Sequence, residues 1–196
     1  ARIEVAKKAA DFDYLRDDIH QLLGESEEGT NRVRQIVQDL RDFSRAETTQ
    51  DWQAADLHHG LDSTLNIASN EIKYRADVVR EYGALPLVEC LPSQLNQVFM
   101  NLFVNAAQAM PDGRRGTITV RTGRDGEMVW IEVADDGQGI PPDVLDKVFD
   151  PFFTTKPIGK GTGLGLSLSY GIVKKHRGNI SASSTPGAGT RFRITL

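Results

Sequence analysis

Four glycines alternate with other residues along Gly159-Lys160-Gly161-Thr162-Gly163-Leu164-Gly165-Leu166, and the run opens directly into a helical apolar pattern. Alternating glycines give a backbone positive φ and close approach, neither of which a plain connection needs. Backbone N–H groups at a helix start bind anions well, so a polyphosphate suits this segment. Lys156 and Lys160 add positive charge. The run is not a Walker loop, which would read Gly-x-x-x-x-Gly-Lys-Ser/Thr, and it does not precede a Rossmann crossover. Gly137 with Gly139, and Gly187 with Gly189, mark two more points where backbone must come close to something.

The rest of the chain narrows the classes of function. With 23 basic against 27 acidic residues the net charge is −4, so no broad positive field exists to hold a nucleic-acid backbone, and no nucleic-acid partner is expected. The single cysteine, Cys90, excludes an internal disulfide and a thiolate metal cluster. No uncharged apolar run approaches the ~20 residues of a membrane span, and no signal-like segment opens the chain. This segment is therefore expected to make no membrane contact.

Texture divides the sequence near residue 48. Residues 1–46 contain no proline, and sparse apolar positions sit among charges: Phe12, Leu15, Ile19, Leu22, then Val33, Ile36, Val37, Leu40 and Phe43, with a break at Gly24–Gly29. Two helices with a narrow apolar seam suit a bundle or a partner helix. From 49 to 196 the pattern is mixed α and β. Helices are predicted over about 55–74 and 94–109, from Pro141-Pro142 to about Phe149, and over 164–177, with His176 in the charged last turn and Gly178 as the stop. Strands are predicted at 117–122, 128–134, 179–184 and 190–196, joined as hairpins rather than crossovers. The expected fold is α+β, an open mixed sheet covered on one face by helices and preceded by a helical bundle segment.

Two further segments carry chemistry. On the 94–109 helix, Gln94, Gln97, Asn101, Asn105 and Gln108 form a stripe of amides. Asparagine is a poor helix former, yet a carboxamide oxygen can ligate Mg²⁺ and its NH₂ can meet a phosphate. A solvated polar face is the plainer alternative. At Val133-Ala134-Asp135-Asp136-Gly137-Gln138-Gly139-Ile140 an apolar strand ends in a carboxylate followed by Gly-x-Gly. A fixed carboxylate only accepts hydrogen bonds, so Asp135 suits the exocyclic amine of adenine; an acidic strand turn is the alternative.

In this order and spacing the segments resemble the Bergerat (GHKL) ATPase superfamily, and more narrowly the catalytic ATP-binding domain of two-component sensor histidine kinases. Asn101–Ala107 resembles that family's N box and Asp135–Ile140 its first glycine box. Phe149–Lys156 resembles the F box, Gly161–Leu166 the second glycine box, and Gly187–Phe192 the closing motif. The resemblance covers about 55–196, and Arg32–Arg45 looks like the second helix of the dimerisation and phosphotransfer bundle. Many family members carry a basic residue where Gln108 stands, and Asp136 replaces a common Asn, adding negative charge near the base.

The resemblance implies an α/β sandwich that binds ATP and Mg²⁺ and transfers the γ-phosphoryl group to a histidine, which later passes it to a response-regulator receiver domain. It implies Asp135 on the adenine amine, helped through water by Thr190, with Gly137, Gly139 and Ile140 lining the base. Asn105 would hold Mg²⁺, Asn101 would contact phosphate or order the ligand sphere, and Gln108 would stand beside it. Lys156 would reach the terminal phosphate. Residues 154–163 would form a lid, with Gly161, Thr162 and Gly163 leading into Leu164, Gly165 and Leu166 beneath the phosphates. A homodimer through the bundle and a cytoplasmic location are implied, with membrane association of a full-length protein left open. His20 lacks the Glu and the following Pro of the family's phosphoacceptor box, and His58, His59 and His176 lie elsewhere. The phosphoacceptor is therefore expected outside this chain, before its start. Another ATPase of the superfamily, an anti-sigma-type serine kinase and a degenerate nucleotide-binding interaction module are the competing functions.

Overall fold

A computed structural model of the chain describes residues 18–27, 29, 30, 33, 34, 51–156 and 161–196. Strand β1 (Gln53–Ala55) leads into helix α1 (Leu57–Ile72), where the Asp56 carboxylate caps the start by accepting from the His58 N–H at 2.9 Å. Strands β2 (Ala76–Tyr82) and β3 (Val88–Cys90) follow, then helix α2 (Pro92–Gln108), whose first-turn proline lacks only an N–H that the helix could not use. Strands β4 (Gly116–Asp125) and β5 (Met128–Asp135) form a hairpin. Short α3 (Pro142–Leu145) and α4 (Gly165–Lys175) precede the closing hairpin of β6 (Asn179–Thr185) and β7 (Gly189–Thr195).

The main sheet has the order β2-β4-β5-β7-β6, while β1 and β3 form a separate antiparallel pair. One face is dry. Ile118 and Val120 of β4, Val129, Ile131 and Val133 of β5, and Phe192 and Ile194 of β7 alternate inward. They meet Leu61 and Leu65 of α1 and Val98, Phe99, Leu102 and Phe103 of α2. Burying each of these aromatic rings contributes roughly 1.5–3 kcal/mol, which makes the α2 side of the sheet the best-anchored part of the fold. The other face is polar, with Glu132 of β5 beneath Arg121, Arg191 and Arg193.

Helix-covered on one face and mixed in direction, the sheet is the architecture expected, but its connections are not all hairpins. β2 pairs with β4 in parallel, through a crossover that contains α2. This strand escapes a sequence reading because it is an edge: only Ala76 is buried, so no alternation marks it. β1 and β3, three residues each, are too short to carry a pattern. The helix expected up to Phe149 stops at Leu145 and turns replace it. α4 ends with Arg177 in the left-handed region (φ 58°), one residue before the glycine predicted to stop it.

His176 is also placed differently. It is not a charge on a helix end but a buried neutral ring. Nδ1 donates to the Ile172 carbonyl at 2.8 Å and Nε2 accepts from the Leu91 N–H at 3.0 Å, which fixes one tautomer. Burial pushes its pKa below the usual histidine value. Most of the expected bundle segment, 1–48, lies outside the described residues. Within it, residues 18–27 are helical straight through Gly24, where a break was expected. One exposed glycine costs a helix only about 1 kcal/mol, and the Gln21 amide donating to Glu25 at 2.9 Å spans that point.

Candidate functional site

Alternation places the first functional side chain. Asp135 continues the inward row of Val129, Ile131 and Val133, and it emerges at the strand end beyond the apolar core. Its Oδ1 accepts from the Gly137 N–H at 2.9 Å and the Thr190 N–H at 3.3 Å. Burial raises its pKa to about 6, against the pull of those two backbone donors. Neighbouring backbone closes around it. Gln138 donates to the Ala109 carbonyl at the end of α2 at 2.9 Å, and a Cβ on Gly137 would press on that same carbonyl at 2.6 Å. Gly139 takes φ 72°, with the Thr185 carbonyl where a Cβ would stand.

Ser184 is a member of this site that the sequence reading missed. Its hydroxyl accepts from the Ile140 N–H at 2.7 Å, donates to the Gly189 carbonyl at 2.8 Å and lies 3.0 Å from the Thr190 hydroxyl. A signal existed: period two from Ile180 and Ala182 brings Ser184 to the inward face of β6. A short polar strand disguised it.

Asp136 brings negative charge beside Asp135, as expected, and helps to raise the Asp135 pKa. Its carboxylate is also bonded to Arg114 at 2.5 Å and to the Thr117 N–H at 2.7 Å, a structural role the sequence does not show. It acts as a clamp at the start of β4.

A second group of side chains meets at the last turns of α2. The Lys156 ammonium donates to Asn105 Oδ1 at 2.9 Å and to Gln108 Oε1 at 2.5 Å. Two amide oxygens converging on one cation form a hard-oxygen donor set, and burial lowers the lysine pKa. The Asn101 Nδ2 instead donates to the Gly165 carbonyl at 2.9 Å and to Ser169 Oγ at 3.2 Å. Its amide hydrogens are thus committed to the first turn of α4, holding that helix start against α2. Gln94 and Gln97 lie in the opening turns of α2; at 1.5 Å per residue Gln94 is about 16 Å along the axis from Asn105, so the stripe of five amides splits.

The glycine-rich run approaches α4 through Thr162, whose hydroxyl accepts from the Leu164 N–H at 3.4 Å, and Gly163, whose carbonyl accepts from Phe152 N–H at 2.9 Å. Leu164, Gly165 and Leu166 then form the half-buried helix start. Gly161 stands against Thr154 and the Lys156 stem. Lys160 and the centre of the expected lid, 157–160, lie outside the described residues.

The two groups are neighbours, because the Asp135 turn touches α2 at Ala109 and the amide–lysine cluster uses Asn105 and Gln108. A surface cleft of about 450 Å³ lined by Tyr74, Arg75, Met110 and Arg114 contains none of the sequence-predicted residues.

Residues 90–196 match the family described as histidine kinase-, DNA gyrase B-, and HSP90-like ATPase. Sensor kinase CckA of Brucella abortus (strain 2308) is 39% identical over 185 residues, covering 86% of this chain and 19% of its own length. Sensor histidine kinase ZraS of Escherichia coli (strain K12) is 35% identical over 181 residues, covering 91% of this chain and 38% of its own. The chain thus spans less than half the length of these curated relatives. Among solved structures, the catalytic domain of histidine kinase ThkA superposes with a TM-score of 0.66 at 28% identity, over 74% of this chain and 95% of that domain. The match to the family over more than half of the sequence, on a sheet that brings the Asp135 turn, the Asn105 helix and the second glycine run together, leads to one conclusion: this chain belongs to the histidine kinase-, DNA gyrase B- and HSP90-like ATPases, as a catalytic ATP-binding domain of the sensor histidine kinase type.

Proposed function

We propose that the Asp135 turn binds the adenine of ATP, that the Asn105–Gln108–Lys156 cluster receives its phosphates with Mg²⁺, and that the γ-phosphoryl group passes to a histidine outside these 196 residues. The observation that carries this reading is the half-used carboxylate of Asp135. Backbone donors occupy Oδ1, and Oδ2 is bonded to no protein donor among the described residues, so an acceptor stands ready beside Gly137 and Gly139.

The amide oxygens of Asn105 and Gln108 already face one cation, the Lys156 ammonium, which is the donor chemistry that Mg²⁺ requires. Bound there, the metal would neutralise phosphate charge. Lys156 is within reach of the same oxygens and would follow the phosphates, while the N–H groups of Leu164, Gly165 and Leu166 would face them. Phosphoryl transfer asks little covalent chemistry of a protein, so positioning and charge neutralisation are what these residues supply.

None of the four histidines suits the phosphoacceptor role. His176 is buried and bonded on both ring nitrogens, while His58, paired with Thr122 at 2.8 Å, and His59 lie in the first turn of α1, within the proposed ATP-binding part. His20 lacks the neighbouring Glu base. Residues 1–48 are proposed as the C-terminal part of a dimerisation and phosphotransfer bundle, and 49–196 as the ATP-binding domain. The exposed apolar residues Ile19, Leu22, Leu23 and Val33 support a homodimer through that bundle. A receiver domain as final acceptor and a cytoplasmic site of action belong to the same proposal; no helix among the described residues is long and apolar enough to cross a membrane.

Calorimetric titration with ATP and Mg²⁺ tests the reading. Replacing Asp135 by Ala leaves donors on the bound base unpaired, a loss of about 1–3 kcal/mol. An Asp135→Ala chain that binds ATP as tightly as the parent would move the base elsewhere.

A further inference from the structure

Ser184, Thr190 and Asp135 stand side by side across β6, β7 and β5: Thr190 is the register partner of Ser184 on one side and of Asp135 on the other. All three continue inward-facing rows, so they form one polar strip at the edge of the dry core. Counting protons along this strip decides what it can recognise.

A hydroxyl carries one proton and two acceptor sites. Ser184 Oγ has three partners. The Ile140 N–H, at 2.7 Å, can only donate to it, and the Gly189 carbonyl, at 2.8 Å, can only accept from it. The serine proton is therefore spent on Gly189. The third partner, Thr190 Oγ1 at 3.0 Å, must be the donor of that bond. Thr190 has then used its single proton, and its oxygen offers only lone pairs to anything else. Beside it, the Asp135 carboxylate also only accepts, with Oδ1 filled by two backbone N–H groups.

Building on the assignment of Asp135 to the base, we propose that Ser184 is the residue that sets base selectivity. By taking the Thr190 proton it fixes the Asp135–Thr190 wall as purely accepting, which admits a 6-aminopurine and rejects a 6-oxopurine. Ser184 is a positioning residue in this scheme, acting only through Thr190. Without it the Thr190 hydroxyl turns freely and can donate to a 6-oxo group.

The test compares ATP with inosine triphosphate, which replaces the 6-amino group by a 6-oxo group, in calorimetric titrations of the whole chain with Mg²⁺. For Ser184→Ala the ATP-to-inosine-triphosphate affinity ratio is expected to fall about tenfold, the scale of one re-made hydrogen bond. Ser184→Thr keeps the hydroxyl, is at home in a strand and restores the ratio. Thr190→Val removes the acceptor and narrows the ratio by itself, and adding Ser184→Ala to it changes nothing more. A ratio that Ser184→Ala leaves within about twofold of the parent's, smaller than any hydrogen-bond effect, overturns the proposal. So does a Ser184→Thr chain that behaves like Ser184→Ala, or a Ser184→Ala effect that survives in the Thr190→Val background. If Asp135→Ala keeps full ATP affinity, the base assignment itself has failed, and that result is separate from any of these.

Discussion

At Gly139 and Gly189 an added Cβ would overlap the carbonyls of Thr185 and Asp135, whereas at Gly165 the nearest atoms, those of the Asn101 amide, stand 3.5 Å or more away. The proposed base end of the site packs backbone on backbone, with the Thr190 N–H on Asp135, the Ile140 N–H on Ser184 and the Gln138 N–H on the Ala109 carbonyl that ends α2. The proposed phosphate end relies more on side chains, a lysine on two amides and a threonine hydroxyl on a helix N–H, beside the backbone bond from Phe152 to Gly163. Glycine therefore does two jobs in one site. In the proposed base region it lets chains touch at Gly139 and Gly189; in the proposed phosphate region Gly163, at φ 69°, also lets backbone touch, at Phe152, while a methyl at Gly165 would meet only the Asn101 amide at 3.5 Å or more. Recognition of a flat base calls for a rigid wall, while successive phosphates call for adaptable cations and open backbone.

The contrast breaks most visibly under glycine substitution. Gly189→Ala places a methyl group on the Asp135 carbonyl at φ 99°, and should cost about 3 kcal/mol or more, if the chain folds at all. Gly165→Ala adds a methyl at ordinary contact distance from the Asn101 amide at a helix start and should change stability by less than about 1 kcal/mol. Urea unfolding of both variants checks this; equal costs would erase the distinction between the two ends.

Removing Asn105 touches only the phosphate end. Asn105→Ala should abolish the Mg²⁺-dependent part of ATP affinity, about 1–3 kcal/mol, with the fold retained. ATP titrations with and without Mg²⁺ read this directly, and an unchanged Mg²⁺ increment would place the metal on other residues.

Acid sharpens the comparison, because the base end and the α4 end respond with opposite sign. The Asp135 carboxyl, raised to about 6, keeps its proton in the folded chain over a window, 3.8 to 6, where an unfolded carboxyl has released it. Its charge therefore costs stability above about pH 6, and that cost is relieved as pH falls through the window. His176 is lowered from 6.5, so the unfolded chain takes up a proton the folded chain refuses. Its share of stability is intact above 6.5 and is lost as pH falls below that value. Relative to Asp135→Asn the parent should gain stability with acid; relative to His176→Gln it should lose it. Trp52, whose ring lies 4.9 Å from His176, gives a fluorescence reading of the second event.

The smallest effect belongs to Lys156. Lys156→Ala should leave unfolding stability within about 0.5 kcal/mol of the parent, since its part-buried bonds join only side chains and removing the ammonium also removes the cost of burying its charge. A larger loss would show that the phosphate end is part of the scaffold after all.

Much of this was legible in advance. Period-3.6 rows in α1, α2 and α4 and period-2 rows in β4, β5 and β7 come from burial on one face, and burial writes itself into residue choice. Asp135 stood out because a carboxylate ended an apolar row before Gly-x-Gly. β2 was hidden because an edge strand buries almost nothing, and Ser184 because serine looks alike in a solvated strand and in a hydrogen-bond hub. The clamp made by Asp136 was hidden, since no pattern told of Arg114 reaching it from a loop 22 residues away.

The main helices, the hairpin strands, the dry face of the sheet and the residue types at the site can be read from the chain alone, because each is a local choice between burying a side chain and solvating it. Tertiary structure alone decided who meets whom: β2 beside β4, Ser184 between Ile140 and Thr190, Lys156 on Asn105, His176 closed over by Leu91. Those contacts join residues far apart in the chain, and their energy depends on distance and direction, which neither composition nor period encodes.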